Sequence, residues 1–210
     1  DAPIIYKKID STFRGNVGAE VAAAMAASGA QLAIVAAAIP AAGRVTVNGQ
    51  CLVHGVPLVE TEFATDPKTP IVSSHIKTLI GLQTALPVSE LGLAQVRSGT
   101  LLAELQLLTQ STPGIVVVDA ENDGDLALLA QAIAALTCRY VLVGAAGLAN
   151  ALPASSYLAP EQKLPVLVVA GSMSEATRQQ IVFAAGEKSL GIVDIDVAAL
   201  LLPGSETAMA

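Results

Sequence analysis

Apolar and polar positions alternate along this chain in two rhythms. Short unbroken runs of Val, Ile, Leu and Ala give way to stretches in which apolar residues return every three or four positions. The first rhythm is that of a strand buried on both faces, the second that of an amphipathic helix. Pro3–Ile9 predicts a strand, Asn16–Ala27 a helix stopped by Gly29, and Gln31–Ile39 a buried strand ending at Pro40. Further on, Ser74–Gln83 predicts a short helix and Leu93–Arg97 a short strand. Thr100–Thr109 predicts a helix with Leu101, Leu102, Leu105 and Leu108 on one face. Ile115–Ala120 is the next strand, Gly124–Leu136 a helix capped by Asn122 or Asp123, Arg139–Gly144 a strand and Gly147–Leu152 a short helix.

Three segments break the rhythm. Between Val45 and Val53 the residues alternate around Asn48-Gly49, the dipeptide best suited to a two-residue hairpin turn, because both positions need positive φ. Residues 57–72 are irregular, with Asp66-Pro67 and Thr69-Pro70 as turn signals. Pro153–Leu164 holds prolines and serines without apolar periodicity and is expected to be a linker. Beyond it, Pro165–Ala170, Ser174–Lys188 and Gly191–Asp196 predict a strand, a helix and a strand. The expected fold is therefore α/β: a mostly parallel sheet flanked by helices, with a small β-hairpin insertion, followed by the start of a second α/β domain. The expected domains are residues 1–152 and 165–210, joined by the linker at 153–164. A single βαβ unit buries its faces poorly, so the chain is expected to continue or to rest on something else.

Composition narrows the class. Of 210 residues, 53% are hydrophobic, 14% charged and only 3% aromatic, with no Trp, so aliphatic side chains must fill the core. The apolar runs are too short for a membrane-spanning helix, which needs about 20 residues. No signal peptide is evident, and a cytoplasmic location is expected. A formal net charge of -7 with sparse Lys and Arg argues against nucleic acid as a partner. Cys51 and Cys138 lack metal-ligand spacing and suit a reducing compartment, while His54 and His75 do not join them, so no metal site is expected. Homo-oligomerisation is left open.

The chemistry concentrates at strand ends, where ligands bind in this architecture. Lys8-Ile9-Asp10-Ser11-Thr12-Phe13-Arg14-Gly15-Asn16 joins the first strand to the first helix. Arg14 offers a planar fork for a carboxylate and Lys8 a point charge. Ser11 and Thr12 suit hydroxyl groups, and Asp10 suits a sugar hydroxyl or a base role. The helix N-terminus adds amides that favour an anion. Together they point to a small anionic, hydroxyl-bearing molecule; the plainer alternative makes Asp10 and Ser11 helix caps. Arg44, after Pro40-Ala41-Ala42-Gly43, is a second anion contact or part of a turn. Asp119, in Asp119-Ala120-Glu121-Asn122-Asp123, is the functional candidate of a cluster that also reads as caps. Gly144-Ala145-Ala146-Gly147 allows either ligand approach or tight packing. Gly171-Ser172-Met173-Ser174 opens a helix as a phosphate-binding turn or an ordinary cap, and it matches neither a P-loop nor a dinucleotide fingerprint.

These segments resemble the four-carbon acid sugar kinases, a family of 3-oxo-tetronate, threonate and erythronate kinases. Lys8–Asn16 is similar to their K-x-D-S-T-x-R-G-N signature, and Pro40–Arg44 with Val47-Asn48-Gly49 to their P-x-x-G-R-x-x-x-x-G stretch. Asp66-Pro67, Val118-Asp119-Ala120 with Asp125-Leu126, Gly144–Ala149, and Val168–Thr177 with Gln180 follow in order. The resemblance implies ATP-dependent phosphorylation, with Mg²⁺, of a small-molecule sugar acid. It implies that Lys8, Asp10, Ser11 and Arg14 face the sugar acid and that Gly171, Ser172, Ser174 and Thr177 approach ATP. The family's opening Asp-Asp-x-T-G-A strand and its late glycine-rich motif are not found, so the chain is expected to be a piece of a longer kinase, inactive alone. A non-catalytic sugar-acid-binding domain is the alternative.

Overall fold

The computed structural model describes residues 4–67, 69–153 and 175–186. The chain divides into two compact units, residues 1–161 and 162–210.

The first unit is built on a five-stranded, all-parallel sheet. Its strands are β1 (Ile5–Lys8), β2 (Leu32–Ala36), β6 (Val88–Leu91), β7 (Gly114–Val118) and β8 (Tyr140–Gly144), in the spatial order β1-β8-β2-β7-β6. Every residue of β2 and β7 is buried, as their unbroken apolar runs require. A second, antiparallel sheet holds β3 (Arg44–Val47), β4 (Gln50–Val53) and the short β5 (Val56–Pro57). Asn48 and Gly49 turn β3 into β4 with φ of 52° and 70°, the positive pair that the dipeptide calls for.

Helices cover both faces of the parallel sheet. On one face α1 (Val17–Ser28) and α2 (Ile76–Gly81) bury Val21, Met25, Ile76 and Ile80 against Ala33, Val35, Val117 and Val143. On the other, α3 (Leu93–Arg97), α4 (Leu101–Thr109), α5 (Asp123–Ala134) and α6 (Ala146–Ala151) bury Val96, Leu105, Leu129 and Leu148 against Ile34, Val116 and Leu142. The alternation of strand side chains between faces assigns each residue to its core. Helix α1 ends on Gly29 in the left-handed conformation, as its position past the last apolar residue predicts.

One element is corrected. Leu93–Arg97, expected as a strand, is helix α3, and the edge strand lies just before it at Val88–Leu91. Gly92 separates them, its N–H donating to the Gln95 side chain 2.8 Å away. That contact starts a helix at a point where the apolar pattern is too short to choose a period.

An acidic run secures the second face. Asn122 caps α5 by accepting from the Asp125 N–H, and the buried Asp125 accepts from the N–H groups of Glu121 and Asn122. Arg97 of α3 donates to both Asp125 oxygens at 2.8 Å and to Glu121 at 2.9 Å. Arg97 holds the Asp125 carboxyl below its ordinary range, against the opposing effect of burial. Its stabilising contribution is thus complete above the unfolded carboxyl pKa of about 4 and is lost as pH falls through the lower folded value. We expect stability of the wild-type chain to drop in that acid window. Asp125→Asn should give a shallower acid limb in urea unfolding followed by circular dichroism; parallel limbs would remove Asp125 as the cause.

Of the second unit, α7 (Glu175–Ala185) is described. The expected strands at 165–170 and 191–196 and the linker beyond Pro153 lie outside the described residues.

Candidate anion-binding site

Strand β1 feeds α1 on one face of the sheet, whereas its neighbour β8 feeds α6 on the other. The carboxyl ends of these two strands therefore flank a topological switch point, where a crevice forms. The segment after β1 leaves the sheet there, with the Ile9 N–H donating to Gly144 at 2.9 Å.

A tight turn follows, closed by the Phe13 N–H donating to the Asp10 carbonyl at 3.0 Å. Phe13 takes a φ of 58° and Gly15 of 94°. The turn buries Ser11 and Thr12 and leaves Arg14 exposed at its rim. Asp10 is held twice, accepting from Thr12 Oγ1 at 2.6 Å and from Arg14 Nε at 2.7 Å. Burial alone would raise the Asp10 carboxyl, but the hydrogen bonds from Arg14 and Thr12 outweigh it and hold it below its ordinary range. Neither Asp10 nor Ser11 caps α1, whose N-cap position is Asn16 with no side-chain bond. The capping alternative for these two residues is thereby removed.

A second guanidinium arrives from the loop after β2. Pro40–Ala42 forms a single helical turn, Gly43 adopts the left-handed conformation, and Arg44 begins β3. Arg44 Nη1 donates to Ser11 Oγ at 2.7 Å. Among the described residues Arg44 has no carboxylate partner, although it is only partly exposed. Arg14, by contrast, pairs with Asp10 and reaches Asp66 at 3.4 Å.

Phe63 joins the two cations. The Arg14 guanidinium carbon lies 5.4 Å from the centre of the Phe63 ring and that of Arg44 5.7 Å. Both fall within the distance at which a cation is attracted to an aromatic face. The structure thus brings Asp10, Ser11, Arg14 and Arg44 into one corner and adds Phe63 and Asp66 from the irregular segment. Asp66-Pro67 is visible in the sequence as a turn. Phe63 carried one signal, a rare aromatic in a chain with three Phe, three Tyr and no Trp, set in an otherwise polar stretch.

Lys8 is not part of this corner. Tyr6, two residues back, packs with the second core, so Lys8 leaves β1 on that face, while Phe63 packs against the first. Lys8 is exposed, with no side-chain partner among the described residues. The helix N-terminus also differs from expectation, because Gln83 occupies part of it: its Oε1 accepts from the Gly18 N–H at 2.7 Å and its Nε2 donates to the Gly15 carbonyl at 3.0 Å.

Two other candidates resolve into structure. Asp119 is buried and accepts from the N–H groups of Asn48 at 2.6 Å and Gly49 at 3.0 Å, pinning the hairpin turn to the end of β7. Gly144 and Gly147 admit no side chain: a methyl on Gly144 would meet Ala36 O at 2.7 Å, and one on Gly147 would run into Ala38 O. Close packing decides those glycines. Among the described residues no three His, Cys, Asp or Glu side chains gather to hold a metal ion. No described helix is long and apolar enough to cross a membrane. Thr177 lies in the first turn of α7, while Gly171, Ser172 and Ser174 lie outside the described residues.

Comparison with known proteins adds an independent line. A family model described as "Sugar-binding N-terminal domain" matches residues 1–152. A D-threonate kinase of Salmonella typhimurium is 56% identical over 209 residues, covering 100% of this chain and 49% of the relative. A D-erythronate kinase of Heliobacterium modesticaldum is 37% identical, covering 95% of this chain and 47% of its own. A crystal structure from Bordetella bronchiseptica, of a domain of unknown function solved as a domain-swapped dimer with bound citrate, superposes with a TM-score of 0.62. It is 39% identical and covers 88% of this chain and 45% of that one. The chain spans about half the length of the curated relatives it matches.

Proposed function

The chain belongs to the sugar-binding N-terminal domain family, and from that premise we propose that it is the acid-binding part of an ATP-dependent kinase for a four-carbon sugar acid, of the threonate, erythronate or 3-oxo-tetronate class. The observation that carries this reading is Arg44, a partly buried cation with no carboxylate partner among the described residues, set against the same ring as Arg14. Such a cation favours a ligand that brings a carboxylate. The names of the relatives supply the class of acid, and the citrate bound in the Bordetella relative supports an acid as the ligand.

In this reading the sugar carboxylate lies between Arg44 and Arg14. Ser11 already accepts from Arg44, so its hydroxyl proton is available to a ligand oxygen. Asp10, kept ionised, accepts from a sugar hydroxyl and fixes the chain of the acid. Its hydrogen bonds from Thr12 and Arg14 hold it in place, which suits it to orienting the acid. Lys8, at the strand end beside Gly144, meets the part of the ligand or the phosphoryl group that extends beyond this corner.

ATP, with its Mg²⁺, would supply the phosphoryl group, and Gly171, Ser172, Ser174 and Thr177 are the residues proposed to hold it. Transfer of this kind depends on placing the acceptor hydroxyl and neutralising charge, which is what the acid-binding corner contributes. The domain-swapped relative supports a homo-oligomer as the working assembly. The test is ADP release by the full-length protein with ATP and a panel of D-threonate, D-erythronate and 3-oxo-tetronate. Turnover with at least one acid is expected. Binding without turnover would leave only a sugar-acid-binding domain, and the absence of both binding and turnover would refute the proposal.

A further inference from the structure

Arg14 and Arg44 come from two different strand-end loops, and like charges brought together repel. Each has contacts that fix its own end: Arg14 on Asp10 and Asp66, Arg44 on Ser11. None of these contacts sets the separation of the two guanidinium groups. The Phe63 ring does touch both, at 5.4 Å and 5.7 Å. It is anchored from behind, since it packs against the first hydrophobic core, and its short helical turn at Glu62–Thr65 is closed by Thr65 Oγ1 donating to the Glu62 carbonyl at 3.0 Å.

We infer that Phe63 is a positioning residue of the anion site: one aromatic platform, shared by Arg14 and Arg44, that holds the two cations at the spacing a sugar carboxylate needs. This rests on the acid-binding reading above and adds to it the residue that pre-arranges the pair. The negative face of the ring offsets part of the repulsion between the cations without using an N–H donor, so the N–H groups not already given to Asp10, Asp66 and Ser11 stay open to a ligand. A further carboxylate in place of the ring would consume the remaining donors, as Asp10 and Asp66 already take two from Arg14. An aliphatic residue would fill the space but supply no such attraction. Holding the cations in place before the ligand arrives removes the ordering cost that two free arginine side chains would otherwise impose on binding.

Phe63→Leu keeps the apolar volume and removes the ring; Phe63→Tyr keeps the ring. Two readouts on the full-length protein decide the matter. The first needs no ligand. In labelled protein the side-chain Nε–Hε resonances of Arg14 and Arg44 should both move in Phe63→Leu and stay close to wild type in Phe63→Tyr. Movement of only one of them overturns the shared platform. The second is titration with D-threonate and D-erythronate. Phe63→Leu should weaken acid binding by about tenfold, the expected loss of two cation–π contacts, and raise KM for the acid while KM for ATP holds. Phe63→Tyr should restore both. Unchanged acid affinity in Phe63→Leu, or an equal loss in both variants, overturns the inference, as would a change confined to thermal stability. The wild-type titration separates the two levels. If wild-type protein ignores every acid, the acid-binding reading fails, and the resonances alone then decide whether Phe63 organises the two arginines.

Discussion

Alanine at Arg14 or at Arg44 is expected to weaken sugar-acid binding by about a hundredfold or more, the loss of a charge-assisted hydrogen-bonded contact to a carboxylate. The two losses have different causes. Arg44 has no carboxylate partner among the described residues, so Arg44→Ala removes the charge of this corner most available to a ligand. Arg14 is paired with Asp10 and Asp66, so Arg14→Ala leaves both carboxylates beside the incoming anion, and repulsion adds to the lost contact. Arg14→Lys should recover only part of the affinity, because an ammonium lacks the planar fork. Calorimetric titration of the full-length protein with D-threonate and D-erythronate measures each variant. Wild-type affinity in either alanine variant would move the carboxylate elsewhere.

Asp119→Ala should be the most destabilising of the acidic substitutions, by about 2 kcal/mol. It leaves the buried Gly49 N–H and the partly buried Asn48 N–H of the hairpin turn without their acceptor. The hairpin carries Arg44 at its first residue and is tied to the end of β7 by the mutual Thr46–Ala120 backbone pair. Burial raises the Asp119 carboxyl above its ordinary range, and nearby Glu90 pushes the same way, while the N–H groups of Gly49 and Asn48 oppose them. A raised folded pKa means that the folded chain keeps this proton to higher pH than the unfolded chain does. The Asp119 contribution to stability therefore declines as pH rises from about 4 through the raised value. Urea unfolding across that range, followed by circular dichroism, should show this decline in the wild type and not in Asp119→Ala. A variant as stable as wild type would show that the turn holds without Asp119.

Much of the fold was legible because its signals are local. Unbroken apolar runs marked β2 and β7, Gly29 marked the end of α1, and Asn48-Gly49 marked the hairpin turn. Leu93–Arg97 was misread because five residues span barely more than one helical turn, too few to separate the periods of helix and strand. At the site, Asp10, Ser11, Arg14 and Arg44 were visible as chemistry at strand ends. Phe63 was not, because the reason for it is a contact with two residues far away in sequence. Asp119 was visible as a functional candidate in a cluster that also read as caps; a buried carboxylate that satisfies a distant turn has the same letters as one that meets a ligand.

The sequence by itself determined most of the strands and helices, Val88–Arg97 apart, and that cations and hydroxyls crowd the ends of β1 and β2. Those outcomes depend on side-chain periodicity and on backbone preferences of single residues, which act over a few positions. Tertiary structure alone decided which of those groups meet. It placed β8 between β1 and β2, turned Lys8 to the other face, and drew Arg14 and Arg44 to one ring. Strand order and loop packing arise from burying whole faces against one another, and no local pattern encodes that balance.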